Sequence, residues 1–304
     1  MSQEPDPISH HGVDDSQTRK FPNDTLRLLI DRSSCRSFSD RKIPDNIMNI
    51  ILEAGLHAPT GGNLQPYSII KVENAATKAR LAALNEDQIF IETAPVDLIF
   101  CIDWYRISRW AEIEFAPFTA HRSFRHFWIS FQDTIIAAQN ICTAADAVGL
   151  GSVYVGTIID RLREHRELLQ LPEKVFPVVL LSLGYPKVRP SAKKKLGVNA
   201  LVHSETYHKP TETELRDMFE LKYPGWRKEA TPERLAEIER VCRDIHGDQF
   251  AAACLDKIRQ AGYINAVQNY FGLHYRADLM PQGNEEYLQL MRDFGFGWFE
   301  KYSR

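Results

Sequence analysis

One segment limits the folds open to this chain more than any other. Phe124, Trp128, Phe131, Ile135, Ala138, Cys142 and Ala145 step alternately by four and three, the repeat of an a/d seam on one long helix. Ala137, Ala144 and Ala147 keep its other faces small, so the helix is expected to be buried nearly all round. Such a helix needs neighbours on several sides, and a subunit interface is one way to supply a neighbour. Gly149 stops it in the usual C-terminal position.

Composition bounds the function classes. The chain has 304 residues, enough for one large core or two small ones. Its 44% hydrophobic and 25% charged residues are those of an ordinary soluble globular protein. A net charge of -3 argues against a nucleic-acid binder working through a general basic surface. Cys35, Cys101, Cys142, Cys242 and Cys254 are odd in number and form no CxxC pair. That fits a reducing compartment better than a disulfide framework. The acidic, Pro-rich N-terminus has no signal-peptide core, and the longest apolar run, Phe176 to Leu183, is too short to span a bilayer. A cytoplasmic protein without nucleic-acid or membrane partners is expected.

Local patterns order the rest. Residues 1–20 are polar and expected to be disordered. A short helix should start near Pro22-Asn23-Asp24, bury Leu26, Leu29 and Ile30, and deliver Arg32 at its end. A second opens at Pro44-Asp45, with Pro44 as its first residue and Ile47, Ile50, Ile51 and Ala54 at helical spacing. It ends before Pro59. Tyr67–Val72 reads as a strand, Ala75–Leu84 as a helix and Pro95–Ile102 as a buried strand. The aromatic-rich stretch from Asp103 to His126 carries no clear period. After the long helix come a strand at Ser152–Val155, a helix from Asp160 to Leu169 with Asp160 as N-cap, and a buried strand at Phe176–Leu183. From Glu205 the texture turns to Arg/Glu-rich helices, with a start at Thr231-Pro232-Glu233 and Leu235, Ile238, Cys242 and Ile245 on one face.

Several motifs fail on inspection. Gly149-Leu150-Gly151 opens like a dinucleotide fingerprint, but Tyr154 stands where the third glycine belongs and the glycines follow a helix. No GxSxG elbow surrounds Ser152. His121/His126 and His203/His208 are five apart, share no helix face and lack a Cys or carboxylate cluster, so no metal site is expected.

Four stretches carry more. In Arg32-Ser33-Ser34-Cys35-Arg36, extended backbone would point Arg32, Ser34 and Arg36 the same way. Two guanidiniums around a hydroxyl suit a phosphate or a polarised heterocycle, although alone they read as a solvated turn. Ala58-Pro59-Thr60-Gly61-Gly62-Asn63-Leu64-Gln65-Pro66-Tyr67 links a helix to a strand. Gly149 to Gly156 joins a helix end to a strand, and Lys193-Lys194-Lys195 follows a buried strand and Gly184-Tyr185-Pro186. In this order and spacing, from about Leu26 to His203, the four resemble the nitroreductase family of FMN enzymes.

That resemblance implies an α+β fold: a central, mostly antiparallel sheet flanked by helices around a long buried dimer-interface helix. It implies that Arg32, Ser33 and Ser34, with Lys193 and Lys195, hold the FMN phosphate and ribityl chain. Arg36 matches a basic residue at the N1–O2 edge of the flavin. Gly156 matches the backbone amide that reaches flavin N5, with Thr157 where the family often has a second glycine. Pro59, Thr60, Gly61 and Asn63, with Gln65 in the same loop, match residues that reach the flavin of the other subunit of a homodimer. Some members place an Asn and a Lys where this chain has Asn85-Glu86-Asp87-Gln88, which leaves Gln88 as the candidate for the O2–N3 edge.

The activity so implied is NAD(P)H-dependent reduction of nitro or quinone compounds by ping-pong hydride transfer, with FMN as cofactor, NADPH or NADH as donor and a small-molecule acceptor. The alternatives are a same-fold flavin enzyme of other chemistry (dehalogenation, azoline oxidation, flavin cleavage) or a non-catalytic flavin-binding protein. The expected organisation is a disordered segment over 1–20, an FMN-binding domain over 21–204 and a helical extension over 205–304 packed on the dimer. Phe294, Phe296, Trp298, Phe299 and Tyr302 make that extension too apolar for a solvated linker.

Overall fold

A four-stranded antiparallel sheet in the order β1-β2-β4-β3 organises the first part of the chain, with β1 at Tyr67–Val72, β2 at Val96–Asp103, β3 at Gly151–Val155 and β4 at Val175–Gly184. The structure is a computed structural model and describes residues 20–298, 300 and 301. The expected disordered segment, except Lys20, and the aromatic residues Phe299 and Tyr302 lie outside the described residues. The chain divides into two compact units that meet between Ala192 and Lys193.

In the first unit the central strands β2 and β4 are buried along their whole length, as their unbroken apolar runs dictate. One carboxylate interrupts them. Asp97 faces Ser182 across the β2–β4 ladder, and the Ser182 hydroxyl donates to its Oδ1 at 2.5 Å. Its Oδ2 has no hydrogen-bond partner, and burial pushes its carboxyl up to about 7 despite Ser182 and Lys78.

The helices are α1 (Asp24–Asp31), α2 (Asp45–Leu56), α3 (Ala75–Leu84), α4 (Ile89–Thr93), α5 (Trp104–Ile113), α6 (Phe124–Ala147) and α7 (Leu162–Leu169). The long α6 packs on α2 and on all four strands. Its buried stripe runs through Phe127, Ser130, Thr134, Ala137, Ile141 and Ala145, whereas Phe124, Trp128, Ile129 and Ile136 are exposed. The helix is thus covered on one side in the single chain, not nearly all round. Helices α2 and α6 approach so closely that a Cβ on Gly55 would lie 2.4 Å from Ile141 Cγ1. This contact rotates the buried stripe of α2 to Met48, Ile51 and Gly55, leaving Ile50 exposed. Pro44 takes the N-cap position instead of the first helical one.

Other local expectations shift for similar reasons. Helix α1 forms where expected, with Asn23 accepting from Leu26 N–H at 3.0 Å, but Leu26, Leu29 and Ile30 are exposed because nothing among the described residues covers that face. A 3-10 turn at Thr157–Ile159 delays α7 to Leu162, so Asp160 does not cap it.

The second unit contains α8 (Val198–Leu201), α9 (Glu212–Lys222), α10 (Pro232–His246), α11 (Asp248–Ala261), α12 (Ala266–Asn269) and α13 (Asn284–Asp293). Thr211 starts α9 with a capping box to Glu214, and Thr231 caps α10 as its sequence requires. Ile238, Ile258 and Ile264 form a small core joined by Leu235, Cys242, Cys254 and Leu273, while Ile245 stays exposed. Phe294 and Phe296 are buried. No helix among the described residues is long and apolar enough to cross a membrane.

Candidate active site

The edge strand β3 carries a polar cluster at each end. Beside its first residues runs the segment after α1: Ser34 bridges Ser152 in parallel, and the Cys35 N–H donates to Ser152 O at 2.9 Å. Cys35 is fully buried, and a Cβ on Gly151 would sit 2.7 Å from its Cβ, so only glycine lets the two backbones meet here. Alternation then turns Ser33 and Cys35 inward and leaves Arg32 and Ser34 half-buried and Arg36 exposed.

Arg32 is held on several sides. Its Nε lies 3.0 Å from Cys142 Sγ and 3.4 Å from Asp146 Oδ2, and a terminal nitrogen donates to Ser152 Oγ at 3.3 Å. Asp146 is buried and also receives Arg189 at 2.6 Å, while Arg189 donates to Leu150 O at 2.5 Å. Two guanidiniums on one carboxylate leave this corner with a net positive charge, the condition for holding an anion. The Tyr154 ring centroid lies 5.9 Å from the Arg32 guanidinium, and burial pushes the Tyr154 phenol up. The Ser33 hydroxyl points elsewhere and donates to Pro190 O at 2.5 Å. Arg36 sits 5.8 Å from the Phe90 ring centroid.

At the other end of β3, Gly156 is exposed, and a Cβ built on it would meet nothing within 4 Å. The adjacent Thr157 hydroxyl donates to Asn85 Oδ1 at 2.9 Å and accepts from Gln88 Nε2 at 3.1 Å. Asn85 in turn donates to Leu81 O at 2.8 Å and lies 3.0 Å from His165 Nε2. Gln88 therefore stands next to Gly156–Thr157. The two ends of the strand, Ser152 and Gly156, are about 13 Å apart at extended rise.

The loop at 59–65 makes other contacts. Gly61 N–H donates to both carboxylate oxygens of Asp133 on α6, at 3.1 and 3.2 Å; burial raises the Asp133 carboxyl and this contact opposes the shift. Gly62, Asn63 and Gln65 all have positive φ, at 61°, 55° and 47°, a region that costs a non-glycine residue about 1–2 kcal/mol. The turn is held regardless: Gln65 N–H donates to Thr60 Oγ1 at 3.1 Å, Gln65 Nε2 to Leu56 O at 3.0 Å, and Arg106 to Gln65 O at 2.5 Å and Tyr67 O at 3.1 Å. Pro59, Gly61 and Asn63 are exposed. These hydrogen bonds run to α2, α5 and α6, not to the clusters on β3. Lys193 and Lys195 lie exposed in the loop that opens the second unit.

Sequence reasoning missed Asp146, Arg189, Cys142, His165, Asp133 and Arg106. Only Arg106 had a usable signal: it falls three residues after Asp103 on a helix, and Asp103 caps that helix through Arg106 N–H at 2.9 Å.

Comparison with known proteins bears on the family and the fold. The Nitroreductase family model matches residues 29–185, just over half of the chain. Among curated relatives, the FMN reductase (NADPH) of Bacillus subtilis is 31% identical over 62% of this chain and 77% of its own length. The NADPH-flavin oxidoreductase of Vibrio harveyi is 32% identical over 61% of this chain and 75% of its own. Among solved structures, B. megaterium NfrA2 superposes with a TM-score of 0.69 at 26% identity, over 92% of this chain and 100% of that one. That coverage cannot be reached without residues beyond 204, so the likeness does not stop near His203. The Vibrio harveyi NADPH:FMN oxidoreductase complexed with NAD+ gives a TM-score of 0.61 at 30% identity, over 65% and 84%. The α+β architecture, the antiparallel sheet, the matched span and these relatives together mean that the chain belongs to the nitroreductase family.

Proposed function

We propose that the chain is an FMN-dependent oxidoreductase that takes electrons from NADPH or NADH and reduces a small-molecule acceptor, a nitro or quinone compound. The observation that carries this reading is the pair of polar clusters on β3, with Gln88 and Thr157 beside the exposed Gly156 at one end. The Arg32–Asp146–Arg189 corner, positive overall, lies at the other end of the same strand, as a ring with a phosphorylated tail requires. The residues therefore fit FMN. Bound there, FMN supplies hydride acceptance from the nicotinamide and electron delivery to the acceptor.

The chain's own groups then divide the work. Arg32 and Ser34 are the candidates to bind the phosphate end, where Arg offers charge-assisted donors. Arg36, exposed beside Phe90, is the cation available to oppose negative charge that gathers on the ring during reduction. The Gly156 amide and the Gln88 carboxamide are polar groups of the ring end. Tyr154 is half-buried and supplies an aromatic wall between the two ends.

A homodimer belongs to the same proposal. The exposed apolar side chains Leu26, Leu29 and Ile30 of α1 and Phe124, Trp128, Ile129 and Ile136 of α6 form more uncovered surface than isolated exposed residues explain. The loop at 59–65, held in a costly conformation by hydrogen bonds to α2, α5 and α6, is suited to serve the other subunit's site. Five free cysteines favour a cytoplasmic location. Steady-state oxidation of NADPH and of NADH with a nitroaromatic or quinone acceptor tests the reading. Acceptor-dependent turnover that tracks FMN content supports it; FMN-loaded protein that oxidises neither nucleotide refutes it.

A further inference from the structure

Asn85 and His165, 80 residues apart in sequence, are both fully buried and hydrogen-bonded to each other. Their proton positions follow from chemistry alone. His165 Nδ1 lies 2.8 Å from Arg161 O. A carbonyl only accepts, so Nδ1 carries the proton and Nε2 presents its lone pair to Asn85 Nδ2. The second Asn85 N–H goes to Leu81 O at 2.8 Å, which fixes the orientation of the amide. Asn85 Oδ1 must then accept the Thr157 hydroxyl proton, at 2.9 Å, and the Thr157 oxygen is left to accept from Gln88 Nε2, at 3.1 Å. Each donor and acceptor has one allowed role. Burial lowers the pKa of His165, which agrees with the neutral tautomer this order needs.

We propose that Asn85 and His165 form a positioning relay that fixes, through Thr157, the carboxamide of Gln88 beside Gly156, ready for a ligand with a lactam or imide edge. The chemistry of the exposed end selects that class. With one Nε2 proton committed to Thr157, Gln88 keeps one N–H donor and the Oε1 acceptor side by side. A lactam or imide offers the complementary pair, a carbonyl next to an N–H, and the isoalloxazine ring of the flavin proposed above has such an edge. An unfixed glutamine would lose side-chain entropy on binding; a fixed one has lost it on folding. Asn85, His165 and Thr157 are thus positioning residues that act through Gln88. The ligand assignment rests on the FMN reading; the relay itself does not.

The test uses the full chain with Thr157→Val, which removes the hydroxyl at nearly constant volume, and Thr157→Ser, which keeps it. The first measurement needs no flavin: NMR of the Gln88 side-chain amide and of the His165 ring nitrogens in the unliganded protein. Wild type and Thr157→Ser are expected to show one dispersed Gln88 amide pair and a His165 protonated at Nδ1. Thr157→Val is expected to lose the Gln88 dispersion and keep the His165 tautomer. An averaged Gln88 amide in wild type, or one unchanged in Thr157→Val, overturns the relay.

The second measurement is FMN affinity by fluorescence titration. Thr157→Val is expected to weaken binding roughly tenfold, about the value of one hydrogen bond, with Thr157→Ser restoring it and Gln88→Ala matching the loss. Equal affinity in Thr157→Val and wild type overturns the positioning role. A wild-type protein that binds no FMN while the NMR result holds refutes the FMN reading and leaves the relay standing.

Discussion

The carboxylate of Asp97 gives a prediction whose size follows from the structure. It is fully buried between β1 and β4, with one oxygen satisfied by Ser182 and the other by nothing. Burial raises its carboxyl from the ordinary 3.8 to about 7. The sign follows from linkage. Below pH 3.8 the group is neutral in both folded and unfolded chains and costs nothing. As pH rises toward about 7, the unfolded chain ionises while the folded one holds its proton, so folding loses stability. Above that the loss is complete, at roughly 4 kcal/mol for a shift of this size. Asp97→Asn removes the ionisation but keeps an oxygen for Ser182. The amide's own packing and hydrogen-bond effects do not vary with pH, so they drop out of the slope. Urea unfolding of both proteins from pH 5 to 7.5 is the assay. The stability of wild type minus that of Asp97→Asn should fall by roughly 2–3 kcal/mol across this window. A flat difference would refute the reasoning, because Asp97 would then be ionised normally in the folded chain.

Three further outcomes bear on the site. Gly156→Ala meets no atom within 4 Å and keeps an allowed backbone at φ -86°, ψ -24°; it should unfold like wild type yet bind FMN more weakly, and equal affinity would mean that no ring lies over Gly156. Arg36→Gln should retain FMN but make it harder to reduce, since one charge-assisted contact contributes roughly 1.5–3 kcal/mol; an unchanged midpoint potential would remove Arg36 from the ring edge. Analytical ultracentrifugation at micromolar concentration should give a dimer, and a monomer that holds FMN and turns over would contradict the shared site.

The central strands were legible as unbroken apolar runs bounded by turn signals, and the long helix by the helical spacing of its apolar residues. The apolar runs of β2 and β4 and the spacing of α6 place those elements within a residue or two. Helix α5 was not legible, since β2 ends at Asp103 and α5 begins at Trp104 without a turn between them. Asp103 serves as the last strand residue and the helix cap at once. The offset stripe of α2 was equally hidden, because it depends on the approach of Gly55 to Ile141. Exposed Leu26, Leu29 and Ile30 mark where periodicity reports an apolar face but not what covers it. In the site, Arg32, Ser34, Gly156 and Thr157 were marked by local motif. The partners that hold them, Asp146, Asn85 and His165, come from distant segments, and a lone buried histidine or aspartate has no signature in sequence.

The central claim is that this chain binds FMN, and the visible absorption spectrum of the purified protein tests it most directly. A flavin spectrum corresponding to roughly one FMN per chain is predicted, either on purification or after incubation with FMN and removal of the excess. A colourless protein that gains no flavin absorbance under those conditions would contradict the account.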